Sequence, residues 1–597
     1  QFPFSEYRAG QYALAGAVYR TLRDKGRLLC QAPTGIGKTM STLFPALKAM
    51  GEGGGERVFY LTARTTTRQA AEDALALLRK NQPGLALKSI TLTAKDTICM
   101  LEQRECTPEA CPYANGYYDR IRDALWQALD ENEFTRAALE DLARRFTVCP
   151  FELGLDLSLW CDVIVGDYNY LFDPVVSLKR FFESGGDYLF LVDEAHNLPD
   201  RAREMHSASL LKSQVLEARK ALGKGKSKLK TALGKLNDEF VELRRQCDEA
   251  ENRTFFEKEA RTGLNRVIGR VTGPMEEWLT EHREGTAHDL ILALYFELRA
   301  YLRVAERYDD HYVTQMAAFG TDVRISQLCL DPSAFLDQSF SSGRGAVLFS
   351  ATLSPMDYYR DILGCAEARC AALPSPFPTE NLGLFCAADV STRYKDRQQS
   401  IEPVGRYLYE MCRGRTGNYM AFFPSYSYLT QVLERFEELF PEVRTLVQQP
   451  GMDEQARREF LDAFQPDAAE TLLGFSVMGG VFGEGVDLAG ERLIGTAIVG
   501  VGLPQVNPRQ EILRDYFEAS RGSGFAYAYQ CPGFNKVLQA AGRVIRTPED
   551  KGVVLLIDSR FGRAEYRQLF PSHWSHCRWL YGPAQLADQL KGFWETV

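Results

Sequence analysis

Apolar and polar positions alternate along this chain in a pattern that changes more than once. In the first 95 residues, short apolar runs alternate with stretches of helical spacing, which predicts strands at 28–31 and 58–62 and helices at 38–50 and 68–80. Strands and helices in regular alternation are typical of an α/β domain built on a parallel sheet. The start of the chain is therefore expected to fold as an α/β domain.

The same alternation returns later, after each of two stretches that lack it. Further strands are predicted at 162–166, 188–192, 346–349, 419–423, 443–447, 472–477, 493–501 and 553–558. Residues 200–331 are instead charged, lack strong strand signals, and carry apolar residues at helical spacing, such as Phe240 and Leu243. We expect this stretch to be a helical insertion.

These patterns predict an α/β fold with two parallel-sheet domains, the first of them interrupted by two insertions. The boundaries are expected at 1–95, 156–200 and 332–376 for the three parts of the first domain, at 96–155 and 201–331 for the insertions, and at 377–597 for the second domain. A chain of 597 residues is too long for one hydrophobic core, which agrees with this division.

Composition narrows the class of protein. A hydrophobic fraction of 45% and a charged fraction of 25% are ordinary for a globular protein and exclude fibrous and disordered classes. No run of about 18 apolar residues occurs, so no membrane-spanning helix is expected. The N-terminal residues lack the pattern of a secretory signal, which predicts a cytoplasmic protein. We expect a monomer, and an upstream segment stays open because the chain begins with Gln1.

A glycine-rich loop follows the first predicted strand and opens the next helix. Residues 32–39 read APTGIGKT, which is the pattern and the context of a phosphate-binding loop. Gly35 and Gly37 let main-chain N–H groups turn inward around phosphate oxygens at a helix N-terminus. Thr34 in the same loop is a further candidate for binding the nucleotide. Lys38 is expected to reach the β- and γ-phosphates, and the Thr39 hydroxyl to bind Mg²⁺.

Two acidic residues end another apolar strand. Residues 189–196 read LFLVDEAH, and the end of a strand is where an α/β sheet holds its ligands. Asp193 is expected to bind Mg²⁺ and Glu194 to orient and activate the attacking water. His196 is a candidate for coupling this site to the other domain.

The second half of the chain carries motifs that complement this site. Residues 349–354 end a strand with hydroxyl side chains that could bridge the two halves. Residues 483–487 (GEGVD) and 539–546 (QAAGRVIR) follow later in the chain. Arg543 and Arg546 are three residues apart and are expected on one helical face, where a guanidinium could neutralise the transferring phosphate.

Four of the fourteen cysteines lie in the first insertion with close spacing. Cys99, Cys106, Cys111 and Cys149 form a C-x6-C-x4-C-x37-C pattern. Four thiolates can hold a [4Fe–4S] cluster or a zinc ion, and the spacing alone does not separate the two. Cys161 opens a predicted strand and is assigned to the core. The other nine cysteines show no ligand spacing and are assigned to packing: Cys30, Cys247, Cys329, Cys365, Cys370, Cys386, Cys412, Cys531 and Cys577.

The order of these motifs carries a family resemblance. The motifs stand at 8–11 (RAGQ), 32–39, 62–64 (TAR), 193–196 (DEAH), 350–352 (SAT), 483–487 and 539–546. In this order, and over nearly its whole length, the chain resembles superfamily 2 iron–sulfur DNA helicases of the XPD/DinG family. The most specific stretches are 149–173 and 539–552. Ala32 replaces the glycine of the general loop pattern, which superfamily 2 helicases commonly share.

The resemblance implies two RecA-like domains, with an iron–sulfur insertion and a helical Arch insertion in the first. It implies that Gln11 reads the adenine edge, with Arg8 supporting it, and that Glu484, Asp487 and Gln539 face the nucleotide. It favours the iron–sulfur cluster over zinc, with a structural role beside the point where the duplex separates. It also implies an ATP- and Mg²⁺-dependent DNA helicase that moves 5′→3′ on single strands, acts in DNA repair or replication, and works at the nucleoid.

The net charge of −9 argues against a uniformly basic surface. Contacts with nucleic acid are therefore expected only at local groups of basic residues. Cations and aromatic rings suited to single strands lie in the cysteine insertion: Arg104, Arg120, Arg122, Arg144, Arg145, Tyr113, Tyr117 and Tyr118. The lysine-rich run 220–230 is expected either to flank a channel or to be a mobile loop. By analogy, Thr62, Arg64, Tyr426 and Gly480 are expected near the DNA backbone.

Two other functions compete with an unwinding motor. One is a clamp that uses ATP only to change shape, which intact Glu194 and Arg543 argue against. The other is a helicase-like nuclease, although these 597 residues contain no separate acidic cluster that resembles a nuclease site. Single-stranded DNA and forked or tailed duplexes are the expected partners.

Overall fold

The computed structural model describes residues 2–480, 482–483 and 488–595. They form two domains that are each built on a parallel sheet, and an insertion with an antiparallel sheet of its own. The fold class expected from the sequence is confirmed. Glu484 and Asp487, both expected at the nucleotide, lie outside the described residues.

The first part of the chain alternates strands and helices up to residue 205. The strands are β1 (Arg27–Gln31), β2 (Arg57–Leu61), β3 (Ser89–Thr91), β4 (Glu133–Phe134), β5 (Val163–Gly166) and β6 (Tyr188–Asp193). The helices are α1 (Gln11–Arg23), α2 (Lys38–Ala49), α3 (Thr65–Asn81), α4 (Lys95–Ile98), α5 (Tyr117–Ala128), α6 (Arg136–Phe146), α7 (Pro150–Leu157), α8 (Asn169–Phe172), α9 (Lys179–Phe182) and α10 (Leu198–Met205).

The second insertion has long helices, as expected, but it also has four strands. Its helices are α11 (Lys212–Ala221), α12 (Lys228–Glu249), α13 (Thr262–Glu281) and α14 (Thr286–Ala305). Its strands are β7 (Ala208–Leu211), β8 (Thr254–Glu257), β9 (Tyr312–Phe319) and β10 (Asp322–Cys329), in the antiparallel order β7-β10-β9-β8.

The missed sheet had a signal in the sequence. Val323 and Ile325 are fully buried against the helices of the insertion, while Arg324 between them is exposed. That period of two residues is typical of a half-buried strand. The strands were overlooked because the helical spacing on either side dominates this stretch.

The chain then completes the first domain. The added elements are α15 (Ser333–Phe340), β11 (Gly345–Ser350), α16 (Met356–Ile362) and β12 (Arg369–Ala372). The sheet has eight parallel strands in the order β12-β1-β11-β6-β2-β5-β3-β4. Because β1, β11 and β6 are neighbours, the three motifs that follow them meet at one edge of the sheet.

The second domain is a seven-stranded parallel sheet. Its strands are β13 (Leu382–Ala387), β14 (Asn418–Phe423), β15 (Arg444–Val447), β16 (Leu472–Val477), β17 (Gly495–Val499), β18 (Gly552–Ile557) and β19 (Arg578–Leu580), in the order β15-β16-β14-β17-β18-β13-β19. Its helices are α17 (Arg397–Arg413), α18 (Tyr426–Leu439), α19 (Glu454–Asp462), α20 (Pro508–Arg521), α21 (Cys531–Ala541), α22 (Ala564–Arg567) and α23 (Pro583–Glu595).

Helix α20 joins the second domain to the first. Arg521 at its end pairs through Nη2 with Asp331 Oδ2 at 2.9 Å and also pairs with Asp361. Tyr527 donates to the same Asp361 carboxylate at 2.5 Å, and Phe517 is fully buried within the core of the first domain. These contacts hold the two domains side by side with a cleft between them.

Within the described ranges, no helix combines the length and the apolar character needed to cross a lipid bilayer.

Candidate nucleotide site and cysteine cavity

The glycine-rich loop connects β1 to α2, as its sequence predicts. Gly35 and Gly37 adopt φ values of 85° and 77°, which glycine reaches without the strain that a side chain would bring. A Cβ atom at Gly37 would lie 2.9 Å from Gln11 Nε2. The loop therefore takes the turned conformation of a phosphate cradle, and Gln11 lies directly against it.

The N-terminal motif is attached to this loop by hydrogen bonds. The main-chain N–H of Arg8 donates to Gln11 Oε1 at 2.9 Å, and Arg8 Nη1 donates to the carbonyl of Gly35 at 3.0 Å. Gln11 is buried, so its amide is held in one orientation. The structure thus brings both residues to this loop.

Phe377 closes the other side of the loop and was not singled out from the sequence. A Cβ atom at Gly35 would meet the Phe377 ring at 2.1 Å, so the ring packs directly on this glycine. Thr34, Thr352 and Phe377 line a cavity of about 90 Å³ whose opposite wall comes from α21 of the second domain. The hydroxyl of Thr352 has no described hydrogen-bond partner in this cavity.

Asp193 is the last residue of β6 and is almost completely buried. Tyr60 donates its hydroxyl to Asp193 Oδ2 at 2.5 Å, and Thr39 hydrogen-bonds to the same tyrosine. Burial and the neighbouring charge of Glu194 raise the pKa of Asp193, while Lys38 opposes that shift. The Asp193 carboxylate and the Thr39 hydroxyl, both predicted to bind Mg²⁺, therefore share Tyr60 as a partner.

Glu194 has a left-handed backbone, with φ of 51°, which costs a non-glycine residue roughly 1–2 kcal/mol. Tyr168, fully buried, donates to the carbonyl of Glu194 at 2.9 Å and also bonds to the carbonyl of Asp193. Burial alone would raise the pKa of Glu194, but the hydrogen bond from His196 and nearby cationic charges lower it. The pKa of Glu194 is thus below its ordinary value, which favours the ionised carboxylate that a water-orienting residue would need.

A chain of hydrogen bonds leads from Glu194 into the second domain. Ser350 donates its hydroxyl to Glu194 Oε2 at 3.0 Å, and His196 Nδ1 lies 2.6 Å from Ser350 Oγ. On its other side, His196 Nε2 lies 2.6 Å from Nε2 of Gln539 on α21. One arrangement satisfies every group: the Gln539 amide donates to Nε2, and Nδ1–H donates to the serine.

The Gln539 contact yields a testable expectation. Gln539→Ala should leave nucleotide binding close to normal but reduce the stimulation of ATP hydrolysis by DNA, because the link across the cleft is lost. A double-mutant cycle with His196→Ala, read as DNA-stimulated turnover, should give a coupling energy of about 1 kcal/mol or more. Strictly additive effects would show that the two side chains do not act together.

The two arginines of the last motif are not on a helical face. Helix α21 ends at Ala541 with Gly542 as its cap, so Arg543 lies in the turn that follows and Arg546 in the irregular segment after it. The expectation from their spacing was wrong because the glycine between Ala541 and Arg543 ends the helix. Arg543 Nη2 donates to the carbonyl of Gly483 at 3.1 Å, which ties this turn to the preceding motif.

All four predicted cysteine ligands line one cavity. Cys99 follows α4, Cys106 and Cys111 lie in the loop before α5, and Cys149 caps α7. The cavity that they share has a volume of about 300 Å³. Burial raises the pKa of the Cys149 thiol, while main-chain N–H groups of Phe151 and Glu152 oppose that shift.

The size of this cavity bears on what the thiols can hold. Among the described side chains, no three from His, Cys, Asp and Glu converge closely enough to bind a single metal ion. A tetrahedral zinc site needs sulfur atoms about 2.3 Å from one centre. The four cysteine side chains that line this cavity belong to a donor set used by both [4Fe–4S] clusters and zinc ions.

The other cysteines mostly pack in cores. Cys161 is buried and donates to the carbonyl of Leu157 at 3.3 Å, as expected of a core residue. Cys30, Cys247, Cys329, Cys365, Cys386, Cys412 and Cys531 are also buried. Cys370 is exposed and Cys577 half-buried, so the assignment to packing does not hold for Cys370.

The candidate nucleic-acid contacts of the cysteine insertion differ in exposure and in the partners of their side chains. Arg120 donates to main-chain carbonyls, and Tyr117 is buried with its hydroxyl donating to Asp156 at 2.9 Å. Arg104, Arg144 and Arg145 are partly exposed and form ion pairs with Asp96, Glu140 and Asp141, and Tyr113 lines the cysteine cavity. Tyr118 is 89% exposed, Arg122 is exposed, and Trp126, which the sequence reading passed over, is 77% exposed.

The contacts expected by analogy at strand ends also differ in exposure. Thr62 is fully buried and its hydroxyl lies 2.8 Å from that of Thr67, so it is closed to a ligand in this state. Arg64 is one of the cations whose charge lowers the pKa of Glu194. Tyr426 accepts a hydrogen bond from Gln448 Nε2 at 3.0 Å, and Gly480 lies against the same glutamine.

Comparison with known proteins agrees with this architecture. The DEAD_2 family model matches residues 84–215, and the helicase C-terminal domain model matches residues 408–577. The helicase subunit XPD of general transcription and DNA repair factor IIH from Schizosaccharomyces pombe is 23% identical, over 96% of this chain and 88% of that protein. The XPD/RAD3 subunit from Saccharomyces cerevisiae is 22% identical, over 94% of this chain and 87% of that protein.

Solved structures share the fold over nearly the whole chain. An XPD helicase structure has a TM-score of 0.64 at 19% identity and covers 97% of this chain and 100% of its own. The Xpd4 structure from S. tokodaii has a TM-score of 0.60 at 16% identity and covers 96% of this chain and 99% of its own. Motif order, family models, relatives and fold agree: the chain belongs to the XPD/DinG family of superfamily 2 helicases.

Proposed function

We propose that this protein is an ATP-dependent DNA helicase that acts in DNA repair and moves 5′→3′ on single strands. The observation that carries the proposal is the hydrogen-bonded chain Glu194–Ser350–His196–Gln539, which joins the hydrolytic carboxylate to the second domain. A machine that converts hydrolysis into domain movement needs such a connection. The curated relatives named as helicases support the same activity.

The residues of the cleft divide the work of hydrolysis. Lys38 neutralises the β- and γ-phosphates, and Thr39 and Asp193 hold Mg²⁺, which screens phosphate charge when bound. Glu194 orients a water molecule for in-line attack on the γ-phosphorus, and the bond to the β-phosphate oxygen breaks as ADP leaves. Arg8, Gln11, Thr34, Gly35 and Gly37 position the nucleotide from the first domain.

In the proposed mechanism, the second domain completes the site when the cleft between the two domains closes around the nucleotide. Arg543 or Arg546 compensates charge on the transferring phosphoryl group, since a guanidinium matches phosphate oxygens in geometry. Both arginines follow the end of α21, so they can approach the phosphate without movement of that helix. Gln539 acts through His196, and the proposal keeps Glu484 and Asp487 as nucleotide-facing residues.

The cysteine cavity is proposed to hold a [4Fe–4S] cluster through Cys99, Cys106, Cys111 and Cys149, with zinc as the runner-up. The cavity of about 300 Å³ lined by all four thiols supports the cluster. When bound, the cluster cross-links loops that are far apart in sequence, which gives the insertion rigidity. A rigid insertion beside the strand path is suited to separating a duplex.

Single-stranded DNA is proposed to contact one face of α5. Tyr118, Arg122 and Trp126 follow each other at intervals of four residues, and all three are exposed. Residues four apart share one face of a helix. Aromatic rings stack on bases and a guanidinium pairs with phosphate, so the stripe suits a strand without sequence preference.

A second proposed contact is a basic groove on the Arch. Lys226, Lys228, Lys235 and Arg270 line a groove of about 500 Å³ at the start of α12, with the hydroxyls of Ser227 and Thr231 beside them. None of the described residues that line this groove is acidic, although Lys228 pairs with Glu277 beside it at 3.8 Å. The lysine-rich run thus gives a local positive field on a chain of net charge −9, which favours phosphate backbones.

The proposal includes forked and tailed duplexes as substrates, a monomeric state and a cytoplasmic location at the nucleoid. A reducing compartment agrees with fourteen cysteines, none of them in a disulfide within the described residues.

Steady-state phosphate release separates the proposed function from its rivals. Single-stranded DNA should stimulate continuous phosphate release by the purified protein, and the DNA should remain intact. A clamp would bind ATP and DNA without sustained turnover, and a nuclease would shorten labelled single strands. Either of these results would replace the proposed function.

A further inference from the structure

The guanidinium of Arg120 hydrogen-bonds to two segments of the chain, one next to Cys111 and the other next to Cys149. Its Nη2 donates to the carbonyl of Pro112 at 3.0 Å and also to that of Asn115. Its Nε and Nη2 donate to the carbonyl of Thr147 at 3.0 and 2.7 Å. Every hydrogen bond described for this side chain therefore ends on a main-chain oxygen, not on a carboxylate.

These carbonyls flank Cys111 and Cys149. Pro112 directly follows Cys111, and the N–H groups of Ala114 and Asn115 donate back to the carbonyl of Cys111 at 3.1 and 2.9 Å. The segment is thus a tight turn that begins at the cysteine. Arg120 holds both ends of that turn through Pro112 and Asn115.

The approach to Cys149 is strained and depends on the same side chain. Thr147 ends α6 with a left-handed φ of 51°, which is unfavourable for a β-branched residue. The carbonyl of the same residue accepts two hydrogen bonds from Arg120. Two residues later Cys149 caps α7, so the direction of the chain at Thr147 sets the position of the Cys149 sulfur.

We propose that Arg120 is a positioning residue for the cluster: it fixes the Cys111 turn and the Cys149 approach at the separation that the cluster needs. This inference rests on the proposed cluster site. A guanidinium suits the task because its five N–H groups lie in a rigid plane and can hold several carbonyls at once. Cys111 and Cys149 are separated by 37 residues of sequence. The Arg120 side chain connects the two segments before a cluster binds.

The hydrogen bonds of Arg120 distinguish it from Arg122, the other basic residue of the same helix. Arg120 and Arg122 are two residues apart on α5 and look alike in sequence. Arg122 is exposed, whereas Arg120 is turned inward onto the cysteine loops. Arg120 is therefore assigned to cluster assembly, and Arg122 stays with the proposed DNA contact.

The test compares Arg120→Gln with Arg122→Gln in the full chain, purified without oxygen. Arg120→Gln should lower the iron content to less than half of the wild-type value and speed the loss of visible absorbance in air. Arg122→Gln should keep wild-type values in both measurements. ATP binding to the phosphate loop should be normal in both variants, which shows that the α/β domains are folded.

A second variant and a second measurement keep the inference open to refutation. Thr147→Gly removes the left-handed strain, so the double variant with Arg120→Gln should recover part of the lost iron. In metal-free protein, Arg120→Gln should also raise amide hydrogen exchange in residues 106–116 and 147–151. Wild-type iron content and unchanged exchange in Arg120→Gln would overturn the inference. A wild-type protein without iron would instead refute the proposed cluster, and the exchange measurement would still decide the role of Arg120.

Discussion

Replacing Lys38 by alanine is expected to lower DNA-stimulated ATP hydrolysis on the order of 10³-fold, which corresponds to about 4 kcal/mol of lost transition-state stabilisation. Lys38 is the first residue of α2 and directly follows Gly37, whose backbone is left-handed. Its side chain therefore starts at the end of the phosphate-binding loop. No other cation of this loop can replace it, because residues 32–37 carry no charge. Phosphate release in the presence of single-stranded DNA measures the effect.

Lys48 supplies the matched control for this substitution. It lies on the same helix, is exposed, and its ammonium is 5.5 Å from the centre of the Tyr19 ring, far along the helix from the loop. Lys48→Ala should therefore keep wild-type turnover. If Lys38→Ala also hydrolysed ATP at the wild-type rate, the assignment of the nucleotide site would be wrong.

Cys111→Ser is expected to remove the visible iron–sulfur absorbance and most of the unwinding activity, while ATP still binds. Cys111 is the most buried of the four proposed ligands, and Arg120 donates to the carbonyl of the next residue in its turn. A serine hydroxyl is a poor substitute for a thiolate in a cluster, so the loops lose their cross-link. Iron analysis and strand displacement measure the two effects separately.

Cys370→Ser is the control, because Cys370 is exposed and lies outside the cysteine cavity. It should leave iron content and unwinding unchanged. If anaerobic wild-type protein is colourless and carries zinc, or if Cys111→Ser keeps its absorbance, the cluster assignment fails.

The sequence predicted the α/β framework because parallel strands buried on both faces leave nearly continuous apolar runs. Segment 472–477 was predicted with the boundaries of β16, and 28–31 and 188–192 differ from β1 and β6 by one residue. The phosphate loop and the acidic strand end were identifiable because backbone turns and phosphate charge demand particular residues at fixed spacing.

Contacts between segments that are far apart in sequence could not be predicted from local patterns of residues. Nothing near Tyr60 or Tyr168 in the sequence shows that their hydroxyls hold Asp193 and Glu194, since those bonds depend on strand order. Phe377 is adjacent to Gly35 only because β12 lies beside β1.

Side-chain direction was the other property that spacing did not reveal. Arg120 and Arg122 were both predicted to contact DNA. In the structure, the Arg120 guanidinium instead donates to main-chain carbonyls. The pair Arg543 and Arg546 satisfied a helical interval, but a helix end at Ala541 separates them from α21. Local spacing thus identifies candidates, and the fold decides which of them are available.

Strand displacement on tailed duplexes tests the central claim most directly. Cluster-intact protein is mixed with ATP, Mg²⁺ and a labelled duplex that has a single-stranded tail at either its 5′ or its 3′ end. The expected result is ATP-dependent release of the labelled strand from the 5′-tailed duplex only, with none for Lys38→Ala. Release from the 3′-tailed duplex only would contradict the proposed polarity, and no release from either duplex would contradict a DNA helicase.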